Sequence, residues 1–278
     1  MVRSASAGHR IEAGLHCEYD PHTGAVMDYP ITEFDSDEQA FIEPSMTTRP
    51  RDVAEYCVPC FFLEVIEKVA ADHNARVVVA NRWEDGLHRL YEIDYEGGKL
   101  AFYHPGIGSA MSAALLEEVI AFGCRKFVAC GGCGVLNTDL GLGQLLCVSA
   151  AVRDEGASYH YLPPAREVAA APAALTTISE TLDRRGIPFV VGKTWTTSAP
   201  YRETRARIAR RRSEGCLVVE MEAAGMLAVA EFRGVPFGQI LYGGDDLTGN
   251  AWDNRNWQNR RQVRENLFWL CAEAVLAL

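Results

Sequence analysis

Val218-Val219-Glu220-Met221-Glu222-Ala223-Ala224-Gly225-Met226 decides how this chain is read. Two β-branched residues end a buried strand. Glu-Met-Glu then opens a helix rich in Ala, Met and Leu that runs to Phe232. A carboxylate at a strand-to-helix junction stands at the carboxyl edge of a sheet, where α/β proteins bind ligands. Acids near a helix N-terminus also serve simply as dipole partners. Position alone therefore leaves both roles open for Glu220 and Glu222.

Outward from this run, apolar strand-like and helix-like segments alternate over the last 220 or so residues. Strands are predicted at 56–58, 76–80, 126–130, 143–152, 189–191, 217–219 and 239–242, with a hairpin of 90–95 and 100–103 about Glu96-Gly97-Gly98. Helices are predicted at 62–70, 110–122 (stopped by Gly123), 168–185 (stopped by Gly186) and 262–278. The pattern implies an α/β fold with one central mixed β-sheet flanked by helices. Residues 1–54 are polar and read as an N-terminal arm packed on the domain, with one short strand near Ala40-Phe41-Ile42. Residues 55–278 form the domain itself, and 249–259 a polar, Trp-containing loop that either covers a pocket or serves an interface.

A chain of 278 residues that is 48% hydrophobic can bury a sizeable core. Its net charge of −10 argues against nucleic acid or an anionic membrane as partner. The Arg-rich stretch 202–212 is interleaved with acids and reads as a solvated helix face. No apolar run reaches the ~18 residues that span a bilayer. The N-terminus lacks the apolar stretch of a secretory signal, and nine cysteines then point to reduced thiols in a cytoplasm. Cys57-Val58-Pro59-Cys60 and Cys130-Gly131-Gly132-Cys133 could form a zinc site only by converging; buried small hydrophobes are the simpler reading, and no metal is expected.

Several segments, in order, resemble the nucleoside phosphorylase and nucleosidase superfamily, uridine and purine nucleoside phosphorylases included. Gly106-Ile107-Gly108 is similar to its glycine-rich segment. Gly131-Gly132-Cys133-Gly134 resembles its Gly-Ser/Thr-Cys-Gly turn. Residues 151–160, with Arg153, resemble the strand and loop of uridine-phosphorylase-like members. Glu220-Met221-Glu222-Ala223-Ala224-Gly225 is the strongest match, and Gly244-Asp245-Asp246 falls where purine-acting members carry Ser-Asp. The resemblance covers residues 55 to the C-terminus. It implies that family's three-layer sandwich and cleavage of a nucleoside N-glycosidic bond, more specifically of a purine nucleoside.

Such cleavage builds positive charge on ribose and negative charge on the leaving base. The resemblance gives Glu222 the ribose 2′ and 3′ hydroxyls, which a carboxylate accepts while favouring oxocarbenium charge. Met221 becomes an apolar wall under the sugar and Asp245 the proton donor to a purine nitrogen; Asp246 reads as a turn cap. Trp195 and Tyr201, flanking a loop at 196–200, are expected to cover the base, and Arg202 or Glu203 to read its edge. Glu220, Gly108, Gly131, Gly132 and Arg153 complete the expected substrate-binding set.

The chain departs from the phosphorylase pattern at the acceptor. Glu64 stands about where phosphorylases carry an Arg, Ala129 and Cys130 replace a second Arg region, and Gly132 replaces a hydroxyl residue. Losing two cations and a hydroxyl removes most charge-assisted bonds to a dianion. Water is thus favoured as acceptor, with Glu64 as its base. A phosphorylase using inorganic phosphate as co-substrate, and a nucleoside-binding protein without catalysis, are the alternatives. No other cofactor is implied. The resemblance also implies a homo-oligomer, dimer or hexamer, in which one subunit completes its neighbour's site.

Overall fold

A computed structural model describes residues 18–19, 26–27, 29–138 and 140–278. Within the N-terminal segment, β1 (Glu18–Tyr19) and β2 (Val26–Met27) pair antiparallel, and α1 (Pro44–Thr47) is a single turn. The stretch 40–42 is irregular rather than a strand, with Phe41 and Ile42 in solvent. A short apolar run holds strand geometry only against a partner, and it pairs with none of the described strands.

The domain follows as β3 (Tyr56–Pro59), α2 (Leu63–Asp72), β4 (Arg76–Trp83), β5 (Gly86–Tyr95), β6 (Gly98–Tyr103), α3 (Ser109–Phe122), β7 (Lys126–Val135) and β8 (Leu145–Asp154). It continues with β9 (Glu167–Ala169), α4 (Pro172–Arg184), β10 (Phe189–Thr197), α5 (Arg205–Ser213), β11 (Cys216–Glu220), α6 (Ala223–Arg233), β12 (Phe237–Asp246) and α7 (Arg261–Leu276). Ten of these strands form one mixed sheet in the order β11-β10-β8-β12-β7-β3-β6-β5-β4, with β9 added to β8. The sheet curls until β11 also pairs antiparallel with β7, Val218 opposite Val135 and Val219 opposite Gly134. Five strands thereby close into a ring, which brings the end of β11 beside the ends of β7 and β12.

Strand residues alternate between two cores. On β7, Phe127 and Ala129 join a cluster with Leu116 of α3 and Met226 and Leu227 of α6. Val128 and Cys130 join the opposite cluster, with Ile66 of α2, Ile178 of α4 and Phe268 of α7. The molecule is therefore layered helix, sheet, helix.

Three elements differ from the sequence pattern. The helix predicted over 168–185 starts only at Pro172, a favoured first helical residue, because 167–169 pair with β8 instead. The glycine-rich segment Gly131–Gly134 is no turn: it continues β7, because its missing side chains leave room for close neighbours. A Cβ on Gly132 would lie 3.2 Å from the Tyr242 ring, and one on Gly134 2.7 Å from Leu247. Strand β10 runs on to Thr197 and carries Trp195 into the sheet.

The cysteines at 57, 60, 124, 130, 133, 147, 216 and 271 are free and buried. Cys60 and Cys130 face each other across a parallel bridge, and burial pushes both thiols well up from their usual range. Among the described residues no cluster of three or more His, Cys, Asp or Glu is placed to hold a metal, and no helix is long and apolar enough to cross a membrane.

Candidate active site

A cavity of about 650 Å³ opens at the carboxyl ends of β7, β11 and β12. Gly131–Gly134, Glu220–Glu222 and Gly244–Asp245 line it together, with Phe61 and Phe62 after β3, Tyr201 and Glu203 before α5, and Trp252, Trp257 and Arg264 closing it.

Glu222 is the residue that caps α6, and it is buried. The amide of Gly108 donates to its Oε1 at 2.6 Å. Gly108 has φ +84°, a left-handed conformation that turns this amide towards the carboxylate. Burial, then the charge of neighbouring Glu220, pushes Glu222 up to about 8. Burial pushes Glu220 up as well, and its donors pull the other way. Its carboxylate accepts from the amides of Glu222 and Ala223, both at 2.7 Å, and from the hydroxyls of Thr196 at 2.6 Å and Thr194 at 3.3 Å. Those donors satisfy the first amides of α6 and hold Glu220 as the charged member of the pair. Glu222, with one protein donor against four for Glu220, is the member of the pair that more readily holds a proton, and it lines the cavity.

Asp245 reaches the cavity through a bulge. From Cys133 to Val135 the partner strand advances two residues, while β12 advances three, from Gly243 to Asp246. The extra residue re-aims the Asp245 side chain. Trp252 Nε1 donates to Asp245 Oδ2 at 2.7 Å. Asp246 points elsewhere: it accepts from the Thr248 amide at 2.7 Å and pairs with Arg255, fixing the loop 249–259.

At the far wall, Arg264 of α7 is buried. Its guanidinium donates to Glu64 Oε1 at 2.5 Å, Tyr242 Oη at 3.1 Å and the Trp257 carbonyl at 3.3 Å. It stands 5.0 Å over the Phe62 ring. Among the described residues Arg264 is the single basic side chain in the lining, against Glu203, Glu220, Glu222 and Asp245.

The structure thus gathers Glu222, Met221, Glu220, Asp245, Gly131, Gly132 and Tyr201 in one cavity, with Gly108 just behind Glu222. Tyr201, 99% exposed, stands at the mouth. Three expected site residues are placed otherwise. Trp195 is fully buried in a satellite core with Val152 and Val219, its indole donating to Asp154 at 2.9 Å; a tryptophan inside a strand faces the core, not a base. Arg153 spends its guanidinium on Ser158 Oγ and the Leu162 and Pro163 carbonyls, folding its own loop. Glu64 lies outside the lining, its carboxylate occupied by Arg264. Trp252, Trp257, Phe61, Phe62 and Arg264 were not anticipated. For Arg264 a signal exists: it shares the inward stripe of α7 with Leu267, Phe268 and Cys271, where an unpaired Arg does not survive.

Comparison with known proteins gives a consistent picture. A family model described as the phosphorylase superfamily matches residues 55–276. The guanosine phosphorylase of Halorubrum lacusprofundi is 29% identical over 166 residues, covering 59% of this chain and 68% of that relative. The uridine phosphorylase of Salmonella typhimurium is 26% identical over 229 residues, covering 77% and 88%. Among solved structures, uridine phosphorylase from Vibrio fischeri superposes with a TM-score of 0.70 at 20% identity, over 86% of this chain and all of that one. AMP nucleosidase from Bacteroides thetaiotaomicron superposes with a TM-score of 0.66 at 22% identity, over 81% and 88%. These structures share the fold.

Proposed function

From its membership of the phosphorylase superfamily, to which this chain belongs, we propose that it cleaves the N-glycosidic bond of a purine nucleoside with water as acceptor. The supporting observation is the shared cavity: Glu222 and Met221 on one side and Asp245 on another line a single space large enough for a nucleoside.

The chemistry follows from the two acids. Ribose offers two vicinal hydroxyl donors to Glu222, and these favour its ionised form over the neutral one it holds in an empty site. A carboxylate then lies by the sugar as C1′ gains positive charge, where it stabilises the transition state more than the ground state. Met221 supplies apolar surface beneath the ring. Asp245, oriented by Trp252, gives its proton to a purine nitrogen, so the base leaves neutral. Purine is favoured because a pyrimidine offers no ring nitrogen equivalent to N7 at that place.

Water is favoured because the cavity is acidic. Its one arginine is already neutralised by Glu64, so among the described lining residues no unpaired cation meets a phosphate dianion. An advanced oxocarbenium ion asks little activation of the incoming water. The names of the phosphorylase relatives favour the other acceptor, and a single assay separates them. Guanosine, inosine, adenosine and uridine are incubated in phosphate-free buffer and again with phosphate. Free base and ribose in both buffers support the proposal. Base release only with phosphate, giving ribose 1-phosphate, overturns the choice of water; no cleavage in either overturns the enzyme reading. No cofactor is called for.

A further inference from the structure

Gln239 brings an unanswered hydrogen-bond acceptor to the cavity. It belongs to the lining and is only 1% exposed, yet its Oε1 accepts no hydrogen bond from the described residues. Its surroundings are apolar. Above Gly131, a Cβ would stand 3.8 Å from Gln239 Nε2, 3.2 Å from the Phe61 ring and 3.3 Å from Leu241. Neither of those two side chains can donate. Native proteins meet a buried carbonyl oxygen with a protein donor or with an ordered water. Here the cavity is the side from which a donor can arrive.

The position of Gln239 says what that donor does. Its register partner on β7 is Ala129, in the segment where phosphorylases carry an Arg. A methyl group stands there, and the amide beside it is the polar function that remains. An amide offers an acceptor as well as donors. A phosphate dianion has use for the donors alone and leaves the oxygen bare; water answers both. Gln239 and Asp245 are also the first and last residues that β12 gives to the lining. The departing base takes the Asp245 end, and a water that displaces it directly reaches C1′ on the opposite face of the sugar. Resting on the proposed hydrolysis, we propose that Gln239 holds the attacking water against C1′. An amide oxygen is too weak a base to take a proton, so Gln239 orients the water and exchanges nothing with it. The water oxygen bonds to C1′ and sheds one proton to solvent. The C1′–N electron pair stays with the base, which takes the Asp245 proton, and solvent reprotonates Asp245. Nucleoside and water become ribose and neutral base.

The test compares wild type with Gln239→Met, which keeps the length and loses the amide, and with Gln239→Glu, which keeps an oxygen at the same reach. Gln239→Met should lower kcat for hydrolysis by about ten- to a hundredfold, the size of one or two hydrogen bonds. KM, and the thermal shift given by the nucleoside, should stay within about threefold of wild type. Gln239→Glu should recover part of the rate as pH rises and its carboxylate ionises. In buffer containing methanol, wild type should make mainly ribose, and Gln239→Met a larger share of methyl riboside, since nothing then selects water. A merely structural amide would lower the melting temperature and leave the product ratio alone; that outcome overturns the proposal. Crystals of wild type with a carbocyclic nucleoside, which cannot be cleaved, should show a water bonded to Gln239 and facing C1′. They also decide the matter if Gln239→Met fails to fold. A dry Gln239 in those crystals overturns the proposal even where hydrolysis is confirmed. Cleavage only with phosphate, or none by wild type, instead fells the hydrolysis reading, and the role of Gln239 with it.

Discussion

The amide of Gly108 and the carboxylate of Glu222 meet at 2.6 Å across 114 residues of chain. One hydrogen bond thus fixes the turn before α3 to the start of α6 and aims the acid that the proposed reaction needs most. Gly108 holds φ +84° with open space where a Cβ would stand, so Gly108→Ala meets backbone strain and no clash. That strain is about 1–2 kcal/mol. The variant should melt lower and show a raised KM for nucleoside; unchanged KM would separate this amide from ribose binding.

Glu222→Ala removes a charge-assisted acceptor from both ribose hydroxyls. At about 1.5–3 kcal/mol for each such bond, kcat/KM for a ribonucleoside should fall a hundredfold or more. A 2′-deoxynucleoside, which offers one hydroxyl, should lose less. Steady-state kinetics on the matched pair reads this directly, and equal losses would argue that Glu222 acts without touching the 2′ position.

Asp245 and Trp252 act as a unit. Asp245→Asn keeps the shape and removes the proton, so purine cleavage should slow by about 10²–10⁴-fold. Trp252→Phe removes only the 2.7 Å bond and should cost about three- to tenfold, near the worth of a hydrogen bond between neutral groups. A riboside with an activated leaving group, such as p-nitrophenyl riboside, needs no protonation. Its turnover by Asp245→Asn should stay near wild type.

Glu64 and Arg264 decide the charge at the end of the cavity. Glu64→Ala would free the Arg264 guanidinium, now held at 2.5 Å. Phosphate should then bind, and nucleoside cleavage should become sensitive to it, seen as competitive inhibition or as ribose 1-phosphate among the products. Arg264→Met with Glu64→Ala should abolish that sensitivity. Phosphate that affects wild type and both variants alike would place the anion elsewhere.

Stability should depend on pH through the same acids. Burial holds Glu222 at about 8, above the ordinary 4.5. Between those values the folded protein binds a proton that the unfolded chain has released. Folding is therefore favoured less as pH rises through that window, and levels off above it. Glu203, pushed up to about 7, adds the same sign over a narrower range. The melting temperature should fall from about pH 5 to about pH 8, and Glu222→Gln should flatten the fall. A slope unchanged by that substitution would assign it to other groups.

The layered α/β architecture was legible because β7 and β11 carry apolar residues on both faces, whereas α2 and α4 each carry one apolar stripe. That Glu222 and Asp245 would meet at one sheet edge was legible because each acid stands at the end of an apolar strand, β11 or β12. Trp195 was misplaced for a local reason: the polar residues around it, Thr194, Thr196 and Thr197, look like a loop, yet they sit buried inside β10, two of them bonded to Glu220. Nor could the ends of β7 be read correctly, since glycines that mark turns elsewhere serve here to admit Tyr242 and Leu247. The Glu64–Arg264 pair joins positions 200 apart in sequence. Nothing in the neighbourhood of either residue encodes the other, and only the docking of α7 under the sheet creates the contact.

The eight thiols among the described residues give the molecule an internal clock. Apart from Cys133, which lines the cavity, each sulfur lies inside a packed layer, beyond the reach of a water-borne alkylating agent while the layers stay shut. Cys60, Cys130 and Cys271 cluster between the sheet and α7; Cys57 and Cys124 belong to the opposite layer. Labelling therefore counts excursions in which one layer parts from its neighbour. The two sets of sulfurs, trapped at separate sites, record whether the halves of the protein come open together or in turn.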